Sequence, residues 1–264
     1  ISFGEAAFSY SLENDLRTLL FTTNSYNKFT RPLAQVTISA QLNLLTLTSL
    51  QWTDSRLSWS TNPTYSTDVP VIYSTEDYVW IPSLSVTNSV DDIGVISDDT
   101  VVIRVASDGT LTWTPGGVYL TSCTTDVTFY PFDIQTCSVL LTTWGYTNIE
   151  IALTGVGVDT SYYDSNGEWE FVSSSTDSTT RTSGSNTLPQ ISFNLTFRRR
   201  PAFQVMNTIL PMVLLAFLKV FVFQLPPDSG EKMGYALTTL LAFAVYLTLV
   251  TDHIPQTSIN TSCL

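Results

Sequence analysis

Basic residues are scarce in this 264-residue chain: 11 Lys and Arg stand against 23 Asp and Glu, with a single His, for a net charge of −12. So acidic a chain cannot neutralise a phosphate backbone, which excludes nucleic acid as its main partner. Three cysteines, Cys123, Cys137 and Cys263, are too few for a disulfide-dense miniprotein. With one histidine they do not make a zinc site of four closely spaced ligands either, and no metal is expected. Also missing are a phosphate-cradling glycine loop and a nucleophile with a paired histidine, so neither an enzyme nor a cofactor is expected. Charged residues total only 13% and apolar ones 44%, with a mean hydropathy of +0.16, too apolar for a disordered acidic chain.

The charge and the apolar content are segregated. Residues 1–197 hold 6 basic and 20 acidic side chains, whereas residues 198–264 hold 5 and 3. Near the start, Leu12, Leu16, Leu19 and Leu20 among Glu13, Asp15 and Arg17 predict a short amphipathic helix. From Gln35 onward, alternating and β-branched runs such as Val36 to Leu42 and Val101 to Val105 are punctuated by Asn62-Pro63, Asp108-Gly109, Pro115-Gly116-Gly117 and Asn166-Gly167. Many short strands with turns at this spacing predict a β-sandwich, immunoglobulin-like in class. Ser173 to Thr187 is almost wholly Ser, Thr, Asp, Gly and Asn and reads as an exposed mobile loop or hairpin tip, before a last strand at Gln190 to Phe197.

After Arg198-Arg199-Arg200-Pro201, the run Val205 to Leu225 is apolar except for Asn207, Thr208, Lys219 and Gln224. About 21 residues at roughly 1.5 Å each span one bilayer core. Lys219, near the far end, is expected to snorkel to the interface. A second apolar run, Lys232 to Val250, follows a short Pro226-Pro227-Asp228-Ser229-Gly230-Glu231 turn, so the two read as an antiparallel helical hairpin in lipid. On the second helix, Glu231, Gly234, Thr238, Leu241, Val245, Leu249 and Asp252 share one face, with carboxylates at its ends and apolar residues between.

Cys123 and Cys137 enclose 13 residues centred on Phe129-Tyr130-Pro131-Phe132-Asp133, a loop that can close as one disulfide around a tight, apolar tip. The pattern resembles the signature loop of the Cys-loop receptors, the pentameric ligand-gated ion channels, in their nicotinic and serotonin-type cation-channel branch. Asp15 to Phe21, Trp52-Thr53-Asp54 with Trp59, Trp80-Ile81-Pro82, Arg199-Arg200-Pro201 with Asn207 and Pro211, and Leu225 to Met233 then fall in that family's order.

The resemblance implies an extracellular ligand-binding sandwich over residues 1–200 with a short N-terminal helix. It implies a transmembrane region over 201–264, made of a first helix at about 203–225, a pore-lining helix at about 231–252 and a linker toward a third helix not represented. It places the chain in the plasma membrane as one subunit of a homo- or hetero-pentamer, with its N-terminal domain outside. Five copies of Glu231 would form a ring attracting monovalent cations, and Leu241 with Val245 an apolar gate; anion-selective relatives typically carry Pro-Ala in place of Gly230-Glu231. A small extracellular ligand would bind between subunits. Trp144 and Tyr146 hold aromatic positions of that site, while Thr87 and Leu188 stand where aromatics are usual. Arg104 faces from the neighbouring subunit and, like Arg181, suits an anionic group. Acetylcholine is therefore a doubtful agonist.

Pro131, Phe132, Asp133, Arg199 and Pro255 would couple ligand binding to the pore, with a salt bridge from Arg199 to Asp133. Between Gln35 and Trp52 the chain is about a dozen residues shorter than the family norm. Asn194-Leu195-Thr196 is a glycosylation sequon. The alternative function is a non-conducting ligand-binding or accessory subunit of the same family.

Overall fold

The computed structural model describes residues 9–43, 47–91, 93–161, 163–224 and 230–253. Helix α1, Tyr10–Arg17, continues as a wider turn through Thr18–Thr23 and buries Leu16 and Leu20. Ten strands follow: β1 Val36–Asn43, β2 Leu47–Thr53, β3 Val71–Ser74, β4 Leu84–Val86, β5 Ile103–Ala106, β6 Thr110–Trp113, β7 Ile134–Thr143, β8 Ile151–Asp159, β9 Trp169–Ser183 and β10 Asn186–Arg199. They form a six-stranded sheet in the order β3-β5-β6-β2-β1-β8 and a four-stranded sheet in the order β4-β7-β10-β9. The chain divides into two compact units: Ile1–Ser122 with Ser138–Tyr163 and Ser174–Asn194, and Cys123–Cys137 with Asp164–Ser173 and Leu195–Leu264.

The first unit is the β-sandwich. Alternation does the work in β1, where Val36, Ile38, Ala40 and Leu42 are buried while Thr37 is exposed. Leu50, Trp52, Ile72, Ile103, Leu111 and Trp113 of the larger sheet are sealed, as are Leu84, Leu141, Ile191 and Phe193 of the smaller one. Each such side chain contributes about 1.5–3 kcal/mol of burial. Trp52 also meets Trp80 edge to face at 6.2 Å.

Asp54 of the Trp-Thr-Asp stretch is fully buried and accepts hydrogen bonds from Arg56 at 2.7 Å and from the Tyr26 hydroxyl at 2.9 Å, so this motif is a structural clasp. The β5–β6 turn packs on its backbone. The Asp54 amide donates to Gly109 O at 2.8 Å, and at φ +86° a Cβ on Gly109 would lie 2.6 Å from Asp54 O, so only glycine fits.

The serine- and threonine-rich stretch, read as an exposed mobile loop or hairpin tip, is the exposed end of a hairpin and mostly strand. β9 runs unbroken to Ser183, turns at Gly184 and returns as β10 from Asn186. Its residues are exposed because β9 is the edge of its sheet, and pairing with β10 supplies the order that its own apolar content does not. β1 and β2 pair antiparallel as far as Leu42 opposite Leu47, with a register shift between Gln41 and Leu42; the connection, Leu44 to Thr46, lies outside the described residues.

The second unit holds the cysteine loop and two helices. Cys123 and Cys137 are disulfide-bonded, the Tyr130–Pro131 peptide is cis, and the Gln135 amide braces the loop by bonding both backbone groups of Asp126. Helix α2, Ala202–Val220, is long and apolar enough to cross a membrane, with a π-type turn at Val205–Ile209 and a final 3₁₀ turn at Phe221–Gln224. Helix α3 spans Glu231–His253.

Pro211 has no N–H to offer the Asn207 carbonyl one turn earlier. The Tyr246 hydroxyl supplies the missing donor, bonding Asn207 O at 3.1 Å and also Thr208 O. Tyr235 donates to Leu218 O at 2.9 Å, so contacts run 246 to 208 and 235 to 218 and the two helices are antiparallel. Lys219 does not snorkel as expected. Its ammonium lies 3.5 Å from the centroid of the Phe243 ring, turned toward α3.

Candidate functional site

The carboxylate of Asp133, at the start of the strand that leaves the cysteine loop, and the guanidinium of Arg199, at the end of β10, form the most buried ion pair among the described residues, with side chains 2% and 9% exposed. Nε donates to Oδ1 at 2.7 Å and Nη2 to Oδ2 at 3.2 Å, a fork-to-fork pairing, and the Arg199 amide donates to Asp133 O at 3.1 Å. Gln135 Nε2 donates to Oδ2 at 2.5 Å. The Arg199 guanidinium carbon lies over the ring of Trp169 at 4.2 Å and over that of Tyr130 at 5.1 Å. Phe132 and Phe129 of the loop tip are exposed.

Burial by itself would raise the Asp133 carboxyl, but hydrogen bonds from Arg199 and Gln135 together with the Arg199 charge hold it below its ordinary value of 3.8. A carboxyl depressed on folding contributes stability above its unfolded pKa and loses it as pH falls through the folded one. Melting of the detergent-solubilised protein should therefore show no contribution from this pair to any change between pH 8 and about 5. The difference between native protein and Asp133→Asn should shrink only below the ordinary carboxylate range; shrinkage near neutrality would contradict the pairing.

Helix α3 turns one side toward α2 and leaves the rest of its surface exposed, Met233, Leu237 and Leu240 included. Tyr235, Thr239, Phe243 and Tyr246 turn toward α2, and Thr239 is buried. Turned away by roughly a third of a revolution, Gly234, Thr238, Leu241 and Val245 are exposed, Leu241 at 66% and Val245 at 53%. Glu231, Leu249 and Asp252 fall on this same side by helical spacing. Pro255 lies outside the described residues.

The remaining sequence candidates lie in the sandwich. Trp144 follows β7 with its indole half exposed, and its amide donates to Ser83 O at 2.8 Å. Thr87, just after β4, bonds Leu140 O through its amide at 2.9 Å. The Thr143 hydroxyl donates to Tyr146 O at 2.6 Å, and the Asn148 amide to Thr187 O at 2.9 Å, which sets the Trp144–Tyr146 turn beside Leu188 at the start of β10. The structure thus gathers Trp144, Tyr146, Thr87 and Leu188 along the four-stranded sheet. It puts Arg104 elsewhere, exposed on β5 of the six-stranded sheet, opposite Tyr73 and Thr112. Arg181 is exposed on β9.

Asn194 is woven into the outer face of β10. Its carbonyl accepts from Ser138 at 2.6 Å and Ser192 at 2.9 Å, and its amide donates to Asp177 at 2.9 Å and Ser175 at 3.3 Å. A sugar on Nδ2 would replace one of its two N–H groups and so remove one of these donations, leaving the carbonyl bonds in place.

Two family models cover this arrangement: the neurotransmitter-gated ion-channel ligand binding domain over residues 13–201, and the neurotransmitter-gated ion-channel transmembrane region over residues 208–263. The chain belongs to the neurotransmitter-gated ion-channel family. Among curated proteins it is similar to the neuronal acetylcholine receptor subunit alpha-5 of Homo sapiens, 34% identical over 88% of this chain and 50% of that one. It is also similar to the human beta-3 subunit, 32% identical over 95% and 59%, and to the acetylcholine receptor subunit beta of Rattus norvegicus, 33% over 80% and 44%. The chain spans about half the length of these relatives.

Membership in the neurotransmitter-gated ion-channel family makes the chain a plasma-membrane protein rather than an enzyme, with its sandwich outside the cell ahead of the membrane region. Trp169 is the residue of the Arg199 cluster that sequence reasoning passed over. The signal was available: β9 and β10 are hairpin partners, and alternate residues Trp169 and Phe171 stand across from Phe197 and Arg199, with Phe171 and Phe197 in edge contact at 5.8 Å.

Proposed function

We propose that this chain is a subunit of a pentameric, cation-selective channel opened by a small extracellular ligand, with residues 1–200 as the ligand-binding domain and 201–264 as the start of the membrane domain. The observation that carries the reading is helix α3. One side is spent on α2, and the exposed remainder includes the face that begins at Glu231 and presents Leu241 and Val245 without cover. Five such helices around an axis give a carboxylate ring that favours monovalent cations and an apolar constriction that closes by dewetting.

In this reading Trp144, Tyr146, Thr87 and Leu188 of one subunit and Arg104 of the next face the ligand. Pro131, Phe132, Asp133, Arg199 and Pro255 pass its binding to the pore. The exposed Arg104 guanidinium makes no side-chain hydrogen bond or close ion pair among the described residues, though its charge helps to lower the Asp108 carboxyl, and it is free to meet a ligand with an anionic group.

Glu231→Gln tests selectivity, measured on channels held open by Leu241→Ser. Removing five charges from the ring should cut single-channel sodium conductance several-fold. Unchanged conductance and unchanged sodium-to-chloride preference would remove Glu231 from the filter. The second reading, a non-conducting ligand-binding or accessory subunit, is favoured by Thr87 and Leu188 in usually aromatic positions and by the absence of adjacent cysteines in Ser173 to Thr187.

A further inference from the structure

A guanidinium offers two kinds of surface: an in-plane fork of N–H donors and two flat faces. At Arg199 both are engaged. The fork is taken by Asp133, and the guanidinium carbon lies over two rings, Trp169 being the closer at 4.2 Å and Tyr130 the farther at 5.1 Å. Tyr130 belongs to the cysteine loop itself, so it moves with Asp133. Trp169 is different, for it is the first residue of β9, an independent strand that reaches back to the polar hairpin tip at Ser183. Its backbone is fixed against β10 on either side of the contact: Arg200 donates to Glu168 O at 2.7 Å, and Phe171 abuts Phe197. The indole is therefore a wall held by one strand against which the cation on the next is pressed.

Without that wall the fork would still find Asp133, but the face would open to water and the arginine could leave the plane of the carboxylate. We propose that Trp169 is the positioning residue that holds Arg199 in its coupling geometry through the face of its indole ring, an inference that rests on the channel reading above. Its role is electrostatic as well as steric: the negative face of the half-buried ring attracts the delocalised cation of the buried Arg199.

The test separates attraction from packing. In the full-length chain carrying Leu241→Ser, position 169 is filled by nonsense suppression with tryptophans bearing zero to four ring fluorines, which keep the indole shape while stepwise removing its negative face. The ratio of open to closed time of the spontaneous current should shift in steps, by about tenfold over the series. Trp169→Phe should fall within that range and Trp169→Leu at or beyond its end. A flat fluorine series, whatever Trp169→Leu does, means packing alone and overturns the proposal; because the analogues are isosteric, the fluorine series decides the matter even where the leucine variant fails to fold. Absence of current from surface-expressed Leu241→Ser channels with native Trp169 is a separate failure, that of the channel reading, and the role of Trp169 goes with it.

Discussion

Arg199→Gln is expected to cost about 3–5 kcal/mol, because it strands the Asp133 carboxylate at 3% exposure with Gln135 as its remaining side-chain donor. A domain of this kind is stable by only about 5–15 kcal/mol, so the loss should appear first as reduced surface expression and a lowered melting temperature of the solubilised protein. The pair as a whole contributes far less than that figure, since forming it required taking two charges out of water. Arg199→Gln with Asp133→Asn should therefore recover much of the loss, two neutral amides replacing a bare charge, and the double-mutant cycle should give a coupling of about 2 kcal/mol or more. Surface labelling and melting of the four proteins decide it. Additive single losses, or an Arg199→Gln protein that expresses, melts and gates as the native one does, would show that the observed fork carries neither stability nor coupling.

Most of this architecture was legible in the sequence, and the reason differs by element. The sandwich declared itself through period-two burial, as in Val36, Ile38 and Ala40, because a sheet with one wet face must alternate. The cysteine loop was legible because its spacing and its aromatic-Pro-Phe-Asp centre form a local pattern, and the first helix because Val205 to Leu225 is an apolar run long enough to cross a bilayer.

What escaped notice was set by partners distant in the chain. β9 has almost no apolar pattern of its own and is ordered by β10, so composition alone made it a loop or hairpin tip. With β9 unread as a strand, nothing aligned Trp169 with Arg199. Lys219 failed for a related reason: snorkelling is the preference of an isolated helix, and the ring of Phe243 on the adjacent helix offers the ammonium a nearer face. For the proposed ligand-site residues, the sequence carried their identities but not their grouping along one sheet. Hydrogen bonds from Asn148 to Thr187 and from Trp144 to Ser83, which assemble the four-stranded-sheet face, join backbone groups that carry no sequence signature.

Leu241→Ser is expected to turn a silent channel into a spontaneously conducting one. The argument begins with the exposure of Leu241 on the side of α3 turned away from its tyrosine anchors, which means the substitution removes no contact that holds α3 to α2, and folding should survive. In the proposed pentamer the five leucines would meet one another around the axis, and opening would have to wet them. A serine hydroxyl is already satisfied by water, so each replacement removes part of the cost of hydration, taken as about 1 kcal/mol, slightly more than one buried methylene. Five of these come close to the roughly 5.5 kcal/mol that carries a 1:99 equilibrium to 99:1. The current should reverse near the sodium equilibrium potential and follow it when sodium is replaced, with chloride substitution leaving it in place, because the proposed Glu231 ring would admit cations and repel anions. A reversal that follows chloride would overturn the cation reading while keeping the channel. No current from pentamers proven at the surface would favour the accessory-subunit reading, in which a neighbouring subunit supplies the gate and this chain supplies a face of the ligand site.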